Sequence, residues 1–120
     1  MNYLSSQEIL FIHHRLLSEL NEPTDNIDVV GLKKLTKYIH NTEIFPDKLS
    51  KASALLFGIA RKKVFEKRSL ETAISVMALF LEVNKTKLEI NSDEFRDFIK
   101  NDFPKSKIED IRSFLLKNTR

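Results

Sequence analysis

The sequence predicts an all-α fold, a compact bundle of about six helices around a buried central helix at about residues 70–83. Three observations carry that expectation. Gly 2 and Pro 3 in 120 residues are too few for a sandwich or barrel, whose many short strands are joined by Gly- and Pro-rich turns. Apolar residues recur at helical spacing through most of the chain. Two arms, 54–60 and 73–83, are apolar almost throughout, broken only by Gly58, Ser75 and Glu82. A helix apolar on every side must be surrounded by protein or lipid. Neither arm approaches the roughly 20 residues that span a bilayer, so both are expected inside a protein core, with no membrane partner.

Taken in order, Ser5 and Glu8 form a capping-box pattern. Ile9, Ile12, Leu16, Leu17 and Leu20 then repeat at helical spacing, which predicts a first helix over 6–20. Residues 21–26, with Pro23, end it. A second helix is expected over 27–40, with Val30, Leu32, Leu35 and Ile39 on one side and Lys33, Lys34 and Lys37 opposite. Pro46 and Asp47 open a third, which carries the first apolar arm to about Lys62. Gly58 allows a close helix contact there. Residues 64–68 read as a loop, with Ser69 as N-cap of a fourth helix over 70–83. After a connector at 84–90, with a brief extended piece at 88–90, Ser92 is read as the cap of a short fifth helix burying Phe95, Phe98 and Ile99. Pro104 and a Ser106/Glu109 capping box start the sixth, which packs Ile108, Ile111, Phe114 and Leu115.

Length and composition suit one domain over 1–120. Hydrophobic content of 42% beside 31% charged residues is globular rather than disordered. The absence of cysteine excludes disulfides and thiolate metal sites. No basic start followed by an apolar run marks a signal peptide, so a cytoplasmic location is expected. A net charge of +3 is too mild to argue for nucleic acid.

Between the apolar arms, Arg61, Lys62, Lys63, Lys67 and Arg68 form a basic run leading to a helix N-terminus, where free amides and the dipole favour anions. These five are the candidate anion-binding residues. Nucleic acid is disfavoured as their partner because base-stacking aromatics are not interleaved with them, Phe65 being expected to point inward. His13, His14 and His40 lack the spacing of a metal site. Ser18 and Glu22 match a short S-x-x-x-E pattern, for which a helix end is the simpler reading.

The order of features resembles the Fic/Doc (Fido) family, in particular its death-on-curing toxin branch. The resemblance is carried by YLSSQEILFIHHRLL with His13, by Gly31–Leu32, by EIFPDKLSKASALLFGIA (43–60) and by TAISVMALFLEVN (72–84). It covers nearly the whole chain and implies a Fido-like helical bundle. The family signature is H-x-F-x-(D/E)-(G/A)-N-(K/G)-R, in which His is the general base, the acidic residue holds magnesium, and Asn with the following amides holds phosphate. Here the register reads K-V-F-E-K-R-S-L-E. The equivalent positions are Lys63, Phe65, Lys67, Arg68, Ser69, Leu70 and Glu71.

Only Phe65 matches. A lysine with an ordinary pKa near 10 is protonated at neutral pH and cannot accept a proton as His does. Lys67 puts positive charge where magnesium needs a carboxylate. Arg68 replaces a residue that must be small for phosphate to reach the backbone. Glu71 repels a phosphate oxygen. Glu66, one position before the acidic slot, is the remote possibility for a metal. The expectation is a Doc-like pseudoenzyme with no intact catalytic residue and no cofactor. By the resemblance it binds a small antitoxin-like or other protein partner, whose amphipathic helix fits an apolar groove. Two alternatives stand beside it: an active phosphoryl- or nucleotidyl-transferase using ATP with magnesium on a protein hydroxyl, and a basic module for nucleic acid or another polyanion.

Overall fold

Six α-helices and no sheet make up the computed structural model, which describes residues 1–120. They are α1 Ser6–Glu19, α2 Val29–Tyr38, α3 Lys48–Ala60, α4 Ser69–Val83, α5 Ser92–Asp97 and α6 Ile108–Lys117. After α5 the chain passes through a π turn at Phe98–Asp102 and a 3-10 turn at Phe103–Lys105. Strand-like pairing is limited to two isolated bridges, Ile27 with Phe65 and Leu88 with Thr119.

The centre is shared by two helices. In α4, six of fifteen residues are buried, whereas in α3 ten of thirteen are. Helix α3 packs against α4, α6 and α2 together, and α1 lies on the far side of α4. Small residues permit this crowding. Ala52, Ser53 and Ala54 are all buried, and the Ser53 hydroxyl donates to the Leu49 carbonyl at 2.7 Å within the same helix. At Gly58 a Cβ would come within 2.7 Å of the Leu35 side chain of α2, which explains the glycine. Leu4, Ile9, Phe45, Phe65, Phe103, Ile111 and Leu115 close one continuous apolar cluster around the pair.

Several helix starts differ from the sequence reading. Ser5 and Glu8 do form the capping box that begins α1. Helix α2 starts two residues later than expected because Asp28 caps it, its Oδ1 accepting the Gly31 amide at 2.9 Å, while Ile27 pairs with Phe65 instead. Ser69 is not an N-cap. Its hydroxyl donates to the Ile59 carbonyl at 2.7 Å, and Arg68 takes the cap position without a capping side chain. Asn91 caps α5 in place of Ser92. Ser106 is drawn inward to the Asp102 carbonyl, so the Asp110 carboxylate holds the Lys107 amide at the start of α6. For Ser69 and Ser106 a carbonyl competes for the hydroxyl and wins. The faces also shift: Val30 is 64% exposed rather than packed with Leu32, and Leu20 is exposed. In α1 the buried stripe is Ile9, His13 and Leu17.

Two charged groups hold the bundle together. Lys51, only 1% exposed, donates from Nζ to the Ile39 carbonyl at the C-terminal end of α2 and lies 5.6 Å from the centre of the Tyr3 ring. A cation at that helix end is favoured by the dipole and by the unpaired carbonyls. Tyr3 in turn stacks on His40 with ring centres 3.6 Å apart. Lys51→Met is expected to lower unfolding free energy by about 1–3 kcal/mol, the loss of a charge-assisted bond partly offset by apolar filling. Denaturant melts showing no loss would mean that the Ile39 carbonyl finds another partner.

At the start of α3, Asp47 accepts the Ser50 amide at 2.8 Å and forms an ion pair with Arg112 of α6. The Arg112 guanidinium, with help from Ser50, outweighs burial and lowers the Asp47 carboxyl to about 2. Its folded value lies below the unfolded one near 4, so its contribution is full above that pH and disappears as pH falls toward about 2. Stability is expected to drop through that window, and Asp47→Asn to flatten the drop. An acid limb with the same slope in both proteins would remove Asp47 from the account.

Candidate functional site

The segment between α3 and α4, which carries the basic run, is tied down along its length. It pairs with the α1–α2 linker: the Asp28 amide donates to the Val64 carbonyl at 2.8 Å and the Glu66 amide to the Asn26 carbonyl at 3.0 Å. The Asn26 side chain donates to Glu66 Oε2 at 2.9 Å, and the Lys67 amide donates to Asp25 Oδ2 at 2.8 Å. Lys63 and Arg68 sit at φ 48° and 54°, in the left-handed region that costs a non-glycine residue of the order of 1 kcal/mol. The linker contacts hold that geometry.

Under the segment lies a network that the sequence reading did not assemble. Phe65 is fully buried and stacks on the His13 ring with centres 3.9 Å apart. His13 Nε2 is 2.9 Å from Asp25 Oδ1, and Nδ1 is 2.8 Å from the Thr72 hydroxyl in the first turns of α4. An ionised Asp25 can only accept, so Nε2 carries the hydrogen of that bond. Burial pushes the Asp25 carboxyl up, but the Lys67 amide and the His13 ring together outweigh it and leave it below its usual value. The connectivity is that of a nucleophilic triad. However, His13 and Thr72 are wholly buried, and a substrate cannot reach them. The network is a latch joining α1, the linker, the α3–α4 segment and α4.

The five basic residues end in different places. Arg61 turns away from the segment: its Nη1 donates to the Phe103 and Ser106 carbonyls at 2.8 and 2.9 Å, with the guanidinium over Phe57 and Phe103. Arg68 is held by Glu22, which accepts from Nε and Nη2 at 2.8 and 2.6 Å, and by Glu71 at 2.9 Å. These carboxylates, Glu22 first, raise its already high pKa. Glu22, read from sequence as part of a helix end, is therefore an ion-pair partner across 46 residues. Lys62 and Lys63 remain exposed, Lys67 half-buried, and none of the three is in an ion pair. Leu70 and Glu71 lie in the first turn of α4.

No group of three or more His, Asp or Glu side chains is placed to hold a metal. Glu66 is engaged by Asn26, and Arg68 and Glu71 occupy the helix start with a paired charge of each sign.

On another face, α1 and α4 leave a groove of about 600 Å³. Ile12, Leu16 and Leu79 line it, and Phe11, 66% exposed, stands at its edge beside Glu8 and Arg15. The sequence signal was present, since α1 carries apolar residues on more than the stripe containing Ile9 and Leu17. The reading assigned Ile12 and Leu16 to the core and did not single out Phe11.

Phe65→Ala is expected to cost about 3–5 kcal/mol by emptying the space beside His13, and a change below about 1 kcal/mol would contradict its burial. Comparison with protein-family models and with curated proteins gives no match for this chain.

Proposed function

We propose that the chain is a Doc-like, non-catalytic protein-binding module, related in design to the toxin half of a toxin–antitoxin pair, that receives an amphipathic helix of a partner protein in the α1–α4 groove. The observation that carries the reading is the contrast between two surfaces. At the signature segment, Arg61, Glu66, Arg68 and Glu71 are consumed by contacts within the chain. At the groove, an aromatic ring and an apolar floor lie open, and charges line the rim. Grooves of this kind accept a helix through anchors on one of its faces, and aromatic residues, Phe among them, are enriched at the centres of interfaces.

One observation favours the basic-module reading beside it. Lys34 of α2 and Lys62 line a pocket of about 310 Å³ together with Tyr38, which is half exposed. Folding thus supplies the aromatic neighbour that the basic run lacks in sequence. Binding of an oligonucleotide that weakens steeply with salt would favour this second reading.

The test pairs two measurements. Titration with ATP, with and without magnesium, is expected to give no saturable magnesium-dependent heat, and such binding would restore the transferase reading. A photo-reactive phenylalanine analogue at position 11 is expected to give protein adducts in cells, unchanged by Lys63→Ala or Glu71→Ala. If adducts instead vanish with those substitutions, the signature segment and not the groove is the working surface.

A further inference from the structure

The outer face of α1 is self-complementary about its own middle. Glu8 and Arg15 are seven residues apart, two helical turns and about 10 Å on one line of the helix. Phe11 and Ile12 lie between them, and the midpoint of the Glu8–Arg15 pair falls between those two residues. If a second α1 is laid antiparallel across this face, each residue n meets residue 23 − n: Glu8 meets Arg15, and Phe11 meets Ile12. Both contacts then occur twice, as an isologous two-fold interface requires.

The receiving surface is already formed. Phe11 projects at the edge of the groove floored by Ile12, Leu16 and Leu79, so a knob and a hole sit side by side on one face. The Arg15 side chain is 71% exposed, and its only ion-pair partner is Glu19 on its own helix, which leaves guanidinium donors free. Glu8 accepts the Ser5 amide with one oxygen, Oε1. Its second carboxylate oxygen is available to a second chain.

We infer that the helix fitting the α1–α4 groove is α1 of a second copy of this chain, so that the protein alone forms a two-fold dimer through Phe11, Ile12, Leu16 and Leu79 with reciprocal Glu8–Arg15 pairs. This rests on the reading of the groove as a helix-docking surface and names the occupant.

Sedimentation of the purified full-length chain over a range of concentrations provides the test. A monomer–dimer equilibrium is expected. Phe11→Asp should raise its dissociation constant at least about tenfold, and Arg15→Glu should weaken it in the same direction. Arg15→Ala, which removes the donor without adding a like charge, should weaken it less than Arg15→Glu does. Phe11 and Arg15 are exposed, and unchanged helical circular dichroism checks that each variant folds. A monomer at every concentration, or a dimer indifferent to Phe11→Asp or to Arg15→Glu, overturns the inference. The photo-reactive residue at position 11 separates its failure from that of the docking reading. Adducts to a different protein from a chain that is monomeric alone refute the second copy and leave the groove as a docking site. No adducts and no dimer remove both.

Discussion

A buried histidine ring with both nitrogens satisfied is the constraint on which this structure turns. His13 has no contact with water, and a buried polar group without a partner costs about 1–3 kcal/mol. Asp25 and Thr72 must therefore arrive at the ring together, one from the α1–α2 linker and one from α4. Asp25 then fixes the Lys67 amide, and Phe65 covers the ring face. Four segments distant in sequence are positioned by one side chain. The left-handed turn at Arg68 follows from that placement, because the chain must leave Lys67 and enter α4 within one residue.

The same logic governs the other polar groups of the interior. Lys51 is tolerated in the core because the end of α2 presents a carbonyl and Tyr3 presents a ring. Asp47 serves both its own helix and Arg112 of α6. These contacts draw α2 and α6 onto α3, and the small residues of α3 let them come close. Helix α1 stands outside that arrangement. It meets the bundle through the Ile9–His13–Leu17 stripe and leaves its outer face open.

This division has a functional consequence. The segment between α3 and α4 serves as a structural strap, with Arg61, Glu66, Arg68 and Glu71 engaged inside the molecule. The open face of α1 and the groove beside it are free of such duties. A surface that carries Phe11 in solvent and a balanced pair of charges around it has the composition of an interface, in which an apolar centre is framed by polar groups. The proposed role in protein binding follows from where the chain has spent its charges and where it has left apolar surface uncovered.

Much of the fold was legible in the sequence, because helix content depends on local spacing. The six helices, the Ser5–Glu8 box, the close contact at Gly58 and the inward Phe65 all follow from residue type and period. The caps at Ser69 and Ser106 were misread because a hydroxyl can bond a carbonyl as well as an amide, and at Ser92 the neighbouring Asn91 takes the cap. The Glu22–Arg68 pair and the His13–Asp25–Thr72 network were hidden because their members lie far apart along the chain. The basic run between two apolar arms located the strap but not its bonds. By itself the sequence determined which segments become helices and that a core must form, since propensity and hydrophobic period act over a few residues. Only the tertiary structure decided which charges are consumed, which face of α1 stays exposed and what the basic run can still reach, because those depend on distances set by packing.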